Sequence, residues 1–192
     1  EMCIRDSLIA RPVTQLYSTP EKSPITSWAY SILGQIYVVL PLALLGVWGY
    51  KSDYQLFMNT EYLLMALFVF VWTNDTGAYI VGCTLGKHRL FERISPKKSW
   101  EGFFGGLAFC IILASLANYI IPGMLSTAQW IGMGILTSIF STWGDLCESL
   151  LKRTAGVKDS GKILPGHGGI LDRFDSELIA SPVIFIYLTF VL

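Results

Sequence analysis

Long apolar runs alternate with short charged stretches along this chain, a pattern typical of membrane-spanning helices. A helix needs about 20 mostly apolar residues to cross a bilayer. Five runs approach that length, at residues 28–50, 62–82, 102–121, 130–151 and 177–192. Backbone groups in lipid must be hydrogen-bonded within the segment, so each run is predicted to be helical. The predicted fold class is therefore all-α, a polytopic integral membrane helical bundle with about five transmembrane helices.

Composition supports the membrane class. Hydrophobic residues make up 53% of the 192 residues and charged residues only 15%, whereas soluble domains carry about 25% charged residues. The four cysteines form no CxxC pair, so neither a disulfide framework nor a zinc site is predicted. Pro41 interrupts the first apolar run and predicts a kink there.

The basic residues predict which side of the membrane the loops face. Five lie between the second and third runs and five between the fourth and fifth, while residues 122–129 carry no charge. Two runs separate the basic loops, so both loops face the same side. The positive-inside rule identifies that side as the cytoplasm.

The first part of the chain is polar. Residues 1–26 contain three prolines and lack the continuous apolar core of a signal peptide. Because the chain begins with Glu1, we expect an N-terminally truncated piece of a longer protein, whose first residues need not be native sequence. The predicted organisation is a polar head segment at residues 1–26 and a transmembrane domain at residues 27–192.

Charged residues near the end of the fourth run have helical spacing. Asp145, Glu148 or Ser149, and Lys152 would share one helix face. Asp145 follows an uncharged run, and ionisable residues at the membrane boundary mark functional sites by default. A simple polar stripe at a helix end is the structural alternative.

A glycine-rich segment at residues 164–169 leads into Asp172, Arg173 and Asp175. Such turns allow backbone amides to approach a phosphate closely. Asp172 and Asp175 are three residues apart, so both can face the same way at the start of the fifth run. Helix capping explains one of these carboxylates but not the whole cluster. His167 is equally compatible with binding phosphate and with fixing the loop.

A third polar cluster is predicted on the same side of the membrane. Asp75 interrupts the end of the second run, where pairing with a basic neighbour is the structural alternative. The Ser-Pro pair at residues 95–96 predicts a helix start. That start would place Lys97, Lys98 and Glu101 on the first helical turns. The two lysines could equally anchor the helix at the cytoplasmic surface.

Carboxylates from two helices, interleaved with Lys and Arg, suit a phosphorylated substrate. Carboxylate oxygens hold Mg²⁺, usually together with substrate phosphates. Cationic side chains neutralise phosphate oxygens as charge develops on them. The sequence therefore predicts Mg²⁺-assisted phosphate chemistry, centred on the signature region at residues 141–176.

These residues resemble the hallmark of the CDP-diacylglycerol synthases (phosphatidate cytidylyltransferases). That hallmark reads S-x-x-K-R, four residues, K-D-x-G, then P-x-H-G-G-x-x-D-R-x-D. The chain matches it without a mismatch at Ser149, Lys152, Arg153, Lys158, Asp159, Gly161, Pro165, His167, Gly168, Gly169, Asp172, Arg173 and Asp175. The upstream stretches NDTGAY, GKH and SPKKSWEG also resemble the family, so the resemblance covers about residues 74–192.

The resemblance implies transfer of a cytidylyl group from CTP to phosphatidate, giving CDP-diacylglycerol and pyrophosphate in phospholipid biosynthesis, with Mg²⁺ required. Asp145 and Asp172 are the main expected metal ligands, followed by Asp175 and Asp159. The expected catalytic residues are Lys152, Arg153, Lys158, Asp159, His167 and Arg173. The expected substrate-binding residues are Asp75, Lys97, Lys98, Glu101, Ser149, Gly168 and Gly169.

Two other hypotheses fit parts of the pattern. A CTP-dependent transferase or kinase could act on another membrane lipid, because acyl-chain pockets leave no recognisable motif. A transporter would spread its charges through several helices, whereas here they collect at one membrane face. The expected partners are CTP, phosphatidate and membrane lipids, with a homodimer left open and no nucleic acid. The expected location is a bacterial plasma membrane.

Overall fold

The computed structural model describes residues 24–49, 60–157, 160–161, 169 and 171–191. Its first elements are helix α1 (Pro24–Gly34), a π-helical segment (Gln35–Val39) and helices α2 (Leu40–Gly49) and α3 (Thr60–Leu85). Strands β1 (Arg89–Phe91) and β2 (Ser95–Ser99) follow, and then helices α4 (Trp100–Ile120), α5 (Thr127–Thr154) and α6 (Leu171–Val191). The predicted head segment lies outside the described residues as far as residue 23.

Each predicted apolar run contains a helix, and within the described residues four helical stretches are long and apolar enough to cross a membrane. They are Trp28–Val47, Glu61–Leu85, Trp100–Ile120 and Leu171–Val191. The predicted all-helical membrane class is therefore confirmed, with the small β1–β2 ribbon as an unpredicted addition.

Helix α5, formed by the fourth predicted run, is more polar than these four stretches. Its Thr137, Ser138 and Ser141 side chains are fully buried, because the helix packs against α3, α4 and α6. Neighbouring helices rather than lipid surround these hydroxyls. The polarity of α5 thus reflects its position inside the bundle.

The core lies between α3, α4, α5 and α6. Leu67, Phe70, Trp130, Met133 and Ile184 are each at most 2% exposed. The Phe70 and Trp130 ring centroids lie 6.3 Å apart. Lipid is as apolar as these side chains, so close packing rather than transfer out of water holds such helices together.

Glycines allow α3 and α4 to approach closely beside the candidate site. A Cβ atom at Gly106 would lie 2.7 Å from the Asn74 carbonyl oxygen, and one at Gly102 would lie 2.8 Å from the Ala78 carbonyl oxygen. A larger residue at either position would push the two backbones apart. This contact fixes the part of α3 that carries Asp75.

The irregularity predicted at Pro41 takes the form of a π-helical segment immediately before that residue. Proline has no N–H group, so Pro41 cannot donate to the Tyr37 carbonyl as an α-helix requires. The Leu40 N–H instead donates to the Gln35 carbonyl oxygen, five residues earlier. Pro41 therefore accounts for the widened turn.

The predicted helix start at residues 95–96 is wrong. Ser95–Ser99 forms strand β2, which pairs antiparallel with β1, and α4 begins only at Trp100. Lys97 and Lys98 therefore lie on a strand and not on the first turns of a helix. A residue before proline favours extended backbone, and pairing with β1 extends this conformation through the segment.

The ends of α5 and α6 also differ from the predicted boundaries. Helix α5 continues to Thr154 and stops where Gly156 adopts a φ of +71°, a common way for helices to end. The Val157 N–H donates to the Lys152 carbonyl oxygen over 3.0 Å. Helix α6 begins at Leu171, so its first turns carry Asp172 and Asp175.

Candidate functional site

A close helix crossing positions the acidic residues of α5 and α6. A Cβ atom at Gly144 would lie 2.6 Å from the Asp175 carbonyl oxygen and 3.0 Å from that of Ser176. Only glycine fits at this crossing without moving a backbone. Asp145 follows Gly144 directly, so the crossing brings the neighbourhoods of Asp145 and Asp175 together.

Lys152 joins the same two helices through its ammonium group. Its Nζ donates to Glu148 Oε2 over 2.9 Å and to Asp172 Oδ1 over 2.8 Å. The Lys152 side chain is 17% exposed and that of Glu148 only 1%. Burial lowers the pKa of Lys152, but the hydrogen bonds to Asp172 and Glu148 outweigh it and raise the pKa above its ordinary value. The ammonium therefore stays charged.

Asp172 holds the ends of the preceding loop against α6. Both of its carboxylate oxygens accept from the Ser160 N–H, at 2.9 and 3.2 Å. Oδ2 also accepts from the Gly169 N–H over 2.7 Å. Together with Lys152, these donors occupy the lone pairs that a carboxylate offers. Asp172 thus holds Ser160 and Gly169 at the start of α6 and fixes the position of Lys152.

Asp145 pairs with a cation from the β ribbon. Lys98 Nζ lies 2.6 Å from Asp145 Oδ2, and both side chains are partly exposed. The Ser149 hydroxyl donates to Asp145 Oδ1 over 3.2 Å. The polar clusters predicted near residues 95–101 and 141–152 therefore meet at Asp145.

A cavity of about 270 Å³ lies where α3, β2, α4 and α5 meet. Its charged and hydroxyl lining includes Asp75, Lys97, Lys98, Ser99 and Asp145. Asp75 lies within electrostatic range of both Lys98 and Asp145. The volume is near the lower end of small-ligand pockets. Cations and carboxylates thus alternate around a space that is open to a ligand.

Asp145, Asp172 and Asp175, the predicted metal ligands that lie among the described residues, are not gathered into one group. Within the described ranges, no cluster of three or more His, Cys, Asp and Glu side chains is arranged to hold a metal ion. Asp145 and Asp175 do lie close enough to influence each other electrostatically. Beside Asp175, the Oε1 atom of Glu148 is buried and accepts from no N–H group of the described residues. Its neighbour is the Asp175 carboxyl, with which it can share a proton.

The carboxylates differ in how many oxygens they leave open to an ion such as Mg²⁺. The ion needs only one or two protein carboxylates when substrate phosphates supply further ligands. Asp145 and Asp175 meet that requirement, and the Oε1 atom of Glu148 adds an acceptor nearby. Asp172 fits less well, because its oxygens already accept from Lys152 and two backbone amides.

Glu101 is engaged away from this cavity. Its carboxylate accepts from His88, at 2.6 Å from Nδ1 and at 3.2 Å from the backbone nitrogen. It is not among the described residues that line the 270 Å³ cavity. Its contacts fix the turn that leads into the β ribbon.

The remaining predicted residues fall into two sets. Arg153 and Arg173 are exposed, one in the last turn of α5 and the other in the first turn of α6. Lys158, Asp159, His167 and Gly168 lie outside the described residues.

A buried hydrogen-bond network in the wall of the cavity was not predicted. Asn74 donates from Nδ2 to the Ser141 and Thr142 hydroxyls over 3.2 and 3.3 Å. It accepts from the Ser138 hydroxyl over 2.6 Å. The network ties α3 to α5 beside Asp75. Serines and threonines at helical spacing in an otherwise apolar run are the signal that could have revealed it.

Comparisons with known proteins bear on this site. A model of the cytidylyltransferase family matches residues 2–191. A phosphatidate cytidylyltransferase of Staphylococcus aureus (strain COL) is 41% identical over 160 residues, which is 83% of this chain and 61% of the relative. The proteins of the same name from Staphylococcus haemolyticus and Staphylococcus epidermidis are 41% and 40% identical over 159 residues. The chain thus spans about 61% of the length of these curated relatives.

Proposed function

The chain belongs to the cytidylyltransferase family, and on that premise we propose that it transfers the cytidylyl group of CTP to phosphatidate. The products are CDP-diacylglycerol and pyrophosphate. The curated relatives carry the name phosphatidate cytidylyltransferase, which supports the choice of lipid acceptor.

The observation that carries the proposal is the alternation of cations and carboxylates at one end of the bundle. Lys98 pairs with Asp145, and Lys152 lies between Glu148 and Asp172. The reaction brings two phosphorylated anions together, so its main obstacle is electrostatic repulsion. Fixed cations facing developing charge lower such a barrier without reorganising in the reaction.

The bond changes require little from a protein base. A phosphate oxygen of phosphatidate attacks the α-phosphorus of CTP and forms a new P–O bond. The P–O bond to the β-phosphate breaks, and pyrophosphate leaves with the electron pair. The second pKa of a phosphate monoester is about 6, so the attacking oxygen is already ionised near neutral pH.

Lys98 and Lys152 have distinct roles in the proposed reaction. Lys98 lines the cavity and would bind phosphates of CTP entering from the water. Lys152 is held by two carboxylates and would keep its charge fixed beside the reacting phosphates. Asp172 acts through Lys152 and the loop, and we class it as a positioning residue.

Mg²⁺ is part of the proposal, with Asp145 and Asp175 as the residues that would hold it. Bound there, the ion would neutralise phosphate charge and polarise the phosphorus that is attacked. Glu148 lies beside Asp175, with which it can share a proton.

The proposed location is a bacterial plasma membrane, with several membrane passes and the site on the cytoplasmic side. The relatives come from bacteria, and four helical stretches are apolar enough to cross a bilayer. The clustering of Lys and Arg on the loops beside the site supports the cytoplasmic orientation.

An acceptor panel tests the proposal. Membranes containing the protein would be given CTP, Mg²⁺ and one of three acceptors: phosphatidate, diacylglycerol or a polyprenol. We expect pyrophosphate release and a cytidine-containing lipid only with phosphatidate, and a fall of both at limiting Mg²⁺ in the Asp145→Asn variant. Product formation with diacylglycerol or polyprenol, and none with phosphatidate, would contradict it.

A further inference from the structure

A second open cavity, here called the ribbon groove, lies on the β1–β2 ribbon. It is lined by residues 87–94 and by Trp100. Leu90 also lines the 270 Å³ cavity, so the two spaces are neighbours with separate sets of charged residues. The ribbon joins α3 and α4, two of the helices that are apolar enough to cross a membrane. This connection holds the groove at the membrane surface, where lipid headgroups lie.

The ribbon groove carries an excess of positive charge. Its lining contains Lys87, Arg89 and Arg93 and one carboxylic acid, Glu92. All four side chains are exposed. Among the residues that the structure describes, none forms an ion pair with Lys87, Arg89 or Arg93. The three cations are therefore available to an anion from outside the bundle.

Aromatic rings adjoin these cations where the chain enters the bilayer. Trp100 lines the groove and is the first residue of the membrane-crossing stretch of α4. Its ring stacks on that of Phe104 with centroids 6.2 Å apart, and lies 6.1 Å from that of Phe103. Phe91, on strand β1, also lines the groove. Tryptophan is enriched at membrane–water interfaces, where its amphipathic ring sits at headgroup level.

Backbone contacts fix the ribbon without help from the basic side chains. The Trp100 N–H donates to the His88 carbonyl oxygen over 3.0 Å. Glu101 Oε1 lies 2.6 Å from His88 Nδ1, and Arg89 pairs with Ser99 across the two strands. Replacing the side chain of Arg89 leaves all these contacts in place.

We propose that the ribbon groove binds the phosphate headgroup of an anionic phospholipid from the surrounding membrane. Guanidinium groups match phosphate oxygens through paired hydrogen bonds, which Arg89 and Arg93 supply. Basic clusters beside a membrane helix attract anionic lipids. The rings of Phe91 and Trp100 would pack against the glycerol and the first part of the acyl chains, a contact that a soluble anion does not make. The inference goes beyond the proposed reaction and rests only on the proposed membrane placement.

Quenching of Trp100 by a brominated lipid tests the site. Protein in detergent would be titrated with phosphatidylglycerol that carries brominated acyl chains, an anionic lipid that is not the proposed acceptor. Bromine quenches a nearby indole, and the difference between wild type and Trp100→Phe isolates the signal of Trp100. We expect saturable quenching by phosphatidylglycerol, and far weaker quenching by phosphatidylcholine with the same chains.

Charge variants test which residues hold the headgroup. Each basic residue near a membrane surface contributes about 1 kcal/mol, so Arg89→Gln with Arg93→Gln should weaken binding of phosphatidylglycerol roughly thirtyfold. Arg89→Lys with Arg93→Lys keeps both charges, is the matched control and should retain most of the affinity. Equal affinities of the two double variants would overturn the proposal.

Three further results would also contradict a lipid site in the groove. One is equal quenching of Trp100 by phosphatidylglycerol and phosphatidylcholine. Another is displacement of the lipid by inorganic phosphate as effective as displacement by unlabelled phosphatidylglycerol, which would indicate a site for soluble anions. The third is an affinity of wild-type protein that does not fall as salt is added, because salt screens exposed charges. The salt titration needs no variant, so it decides the matter even where the glutamine variant does not fold.

Failure of the proposed reaction would look different. The lipid titrations use neither CTP nor turnover, so a protein that forms no CDP-diacylglycerol would still show the binding. An active protein without the binding would overturn the groove and leave the reaction untouched.

Discussion

At the residue scale, Asp172 and Asp145 differ in the groups that hold their carboxylates. Asp172 accepts from Lys152 and from the backbone amides of Ser160 and Gly169. Asp145 is held by Lys98 and the Ser149 hydroxyl, at the edge of the cavity. Among the described residues, Asp172 thus has two backbone donors besides a lysine, whereas Asp145 has a lysine and one hydroxyl.

Because their partners differ, replacing Asp145 or Asp172 by asparagine should cause two different defects. Asp145→Asn should raise the Mg²⁺ concentration for half-maximal activity by about tenfold, because it removes one charged ligand. Asp172→Asn should lower kcat and the unfolding temperature with little change in Mg²⁺ dependence, because it frees the loop and Lys152. Activity titrated with Mg²⁺ gives both values, with exposed Glu92→Gln as the control. A shifted Mg²⁺ dependence in Asp172→Asn alone would reverse our assignment.

The ion pair between Lys152 and Glu148 gives a second prediction at the residue scale. Lys152→Met leaves the Glu148 carboxylate buried without its cation, and breaking a buried pair in this way costs about 3–5 kcal/mol. Unfolding in denaturant should show that loss, together with loss of activity.

The double variant Lys152→Met with Glu148→Gln separates the two effects. Because it removes both charges, most of the stability should return while activity stays lost. Recovered activity in the double variant would show that Lys152 has no role beyond stabilising Glu148.

At the element scale, the α5–α6 crossing controls the site. A methyl group at Gly144 would lie 2.6 Å from a carbonyl oxygen of α6, so Gly144→Ala must push the helices apart. We expect a loss of about 1–3 kcal/mol of stability and at least a tenfold fall in activity. Gly46→Ala is the matched control, because a Cβ atom there meets nothing within 4 Å. Equal behaviour of the two variants would argue against the close crossing.

The elements differ in how far the sequence determines them. Apolar runs predict helices because lipid leaves the backbone no other way to pair its groups. Strand β2 escaped prediction because SPKKS has no apolar alternation, and its conformation depends on pairing with β1. The hallmark residues could be found from their resemblance to the family pattern. The pairing of Lys152 with Asp172, twenty residues away, depends on how the two helices cross. It could therefore not be predicted from the sequence.

At the scale of the whole molecule, the helices should place the site on the cytoplasmic side. Single cysteines would be introduced at exposed Ala155, beside the site, and at exposed Pro122, between α4 and α5, in a protein whose native cysteines are replaced. An impermeant maleimide should label Ala155→Cys only in inside-out vesicles and Pro122→Cys only in right-side-out vesicles. The opposite pattern would invert the proposed orientation.

The buried polar groups explain why this bundle keeps a polar helix at its centre. Asn74 and three hydroxyl residues of α5 pair with one another in the wall of the cavity, and Lys152 pairs with carboxylates of α5 and α6. Apolar packing alone would leave the angles between these helices loosely defined. The polar contacts fix them where the charged side chains must converge.

The fate of a ³²P label on CTP tests the proposed cytidylyl transfer most directly. Purified protein would be given phosphatidate, Mg²⁺ and CTP labelled with ³²P at either the α- or the γ-phosphorus. Cytidylyl transfer predicts that the α-label enters the lipid fraction and the γ-label leaves as pyrophosphate. Entry of the γ-label into lipid, with the α-label left in a soluble nucleotide, would show phosphoryl transfer and contradict the account.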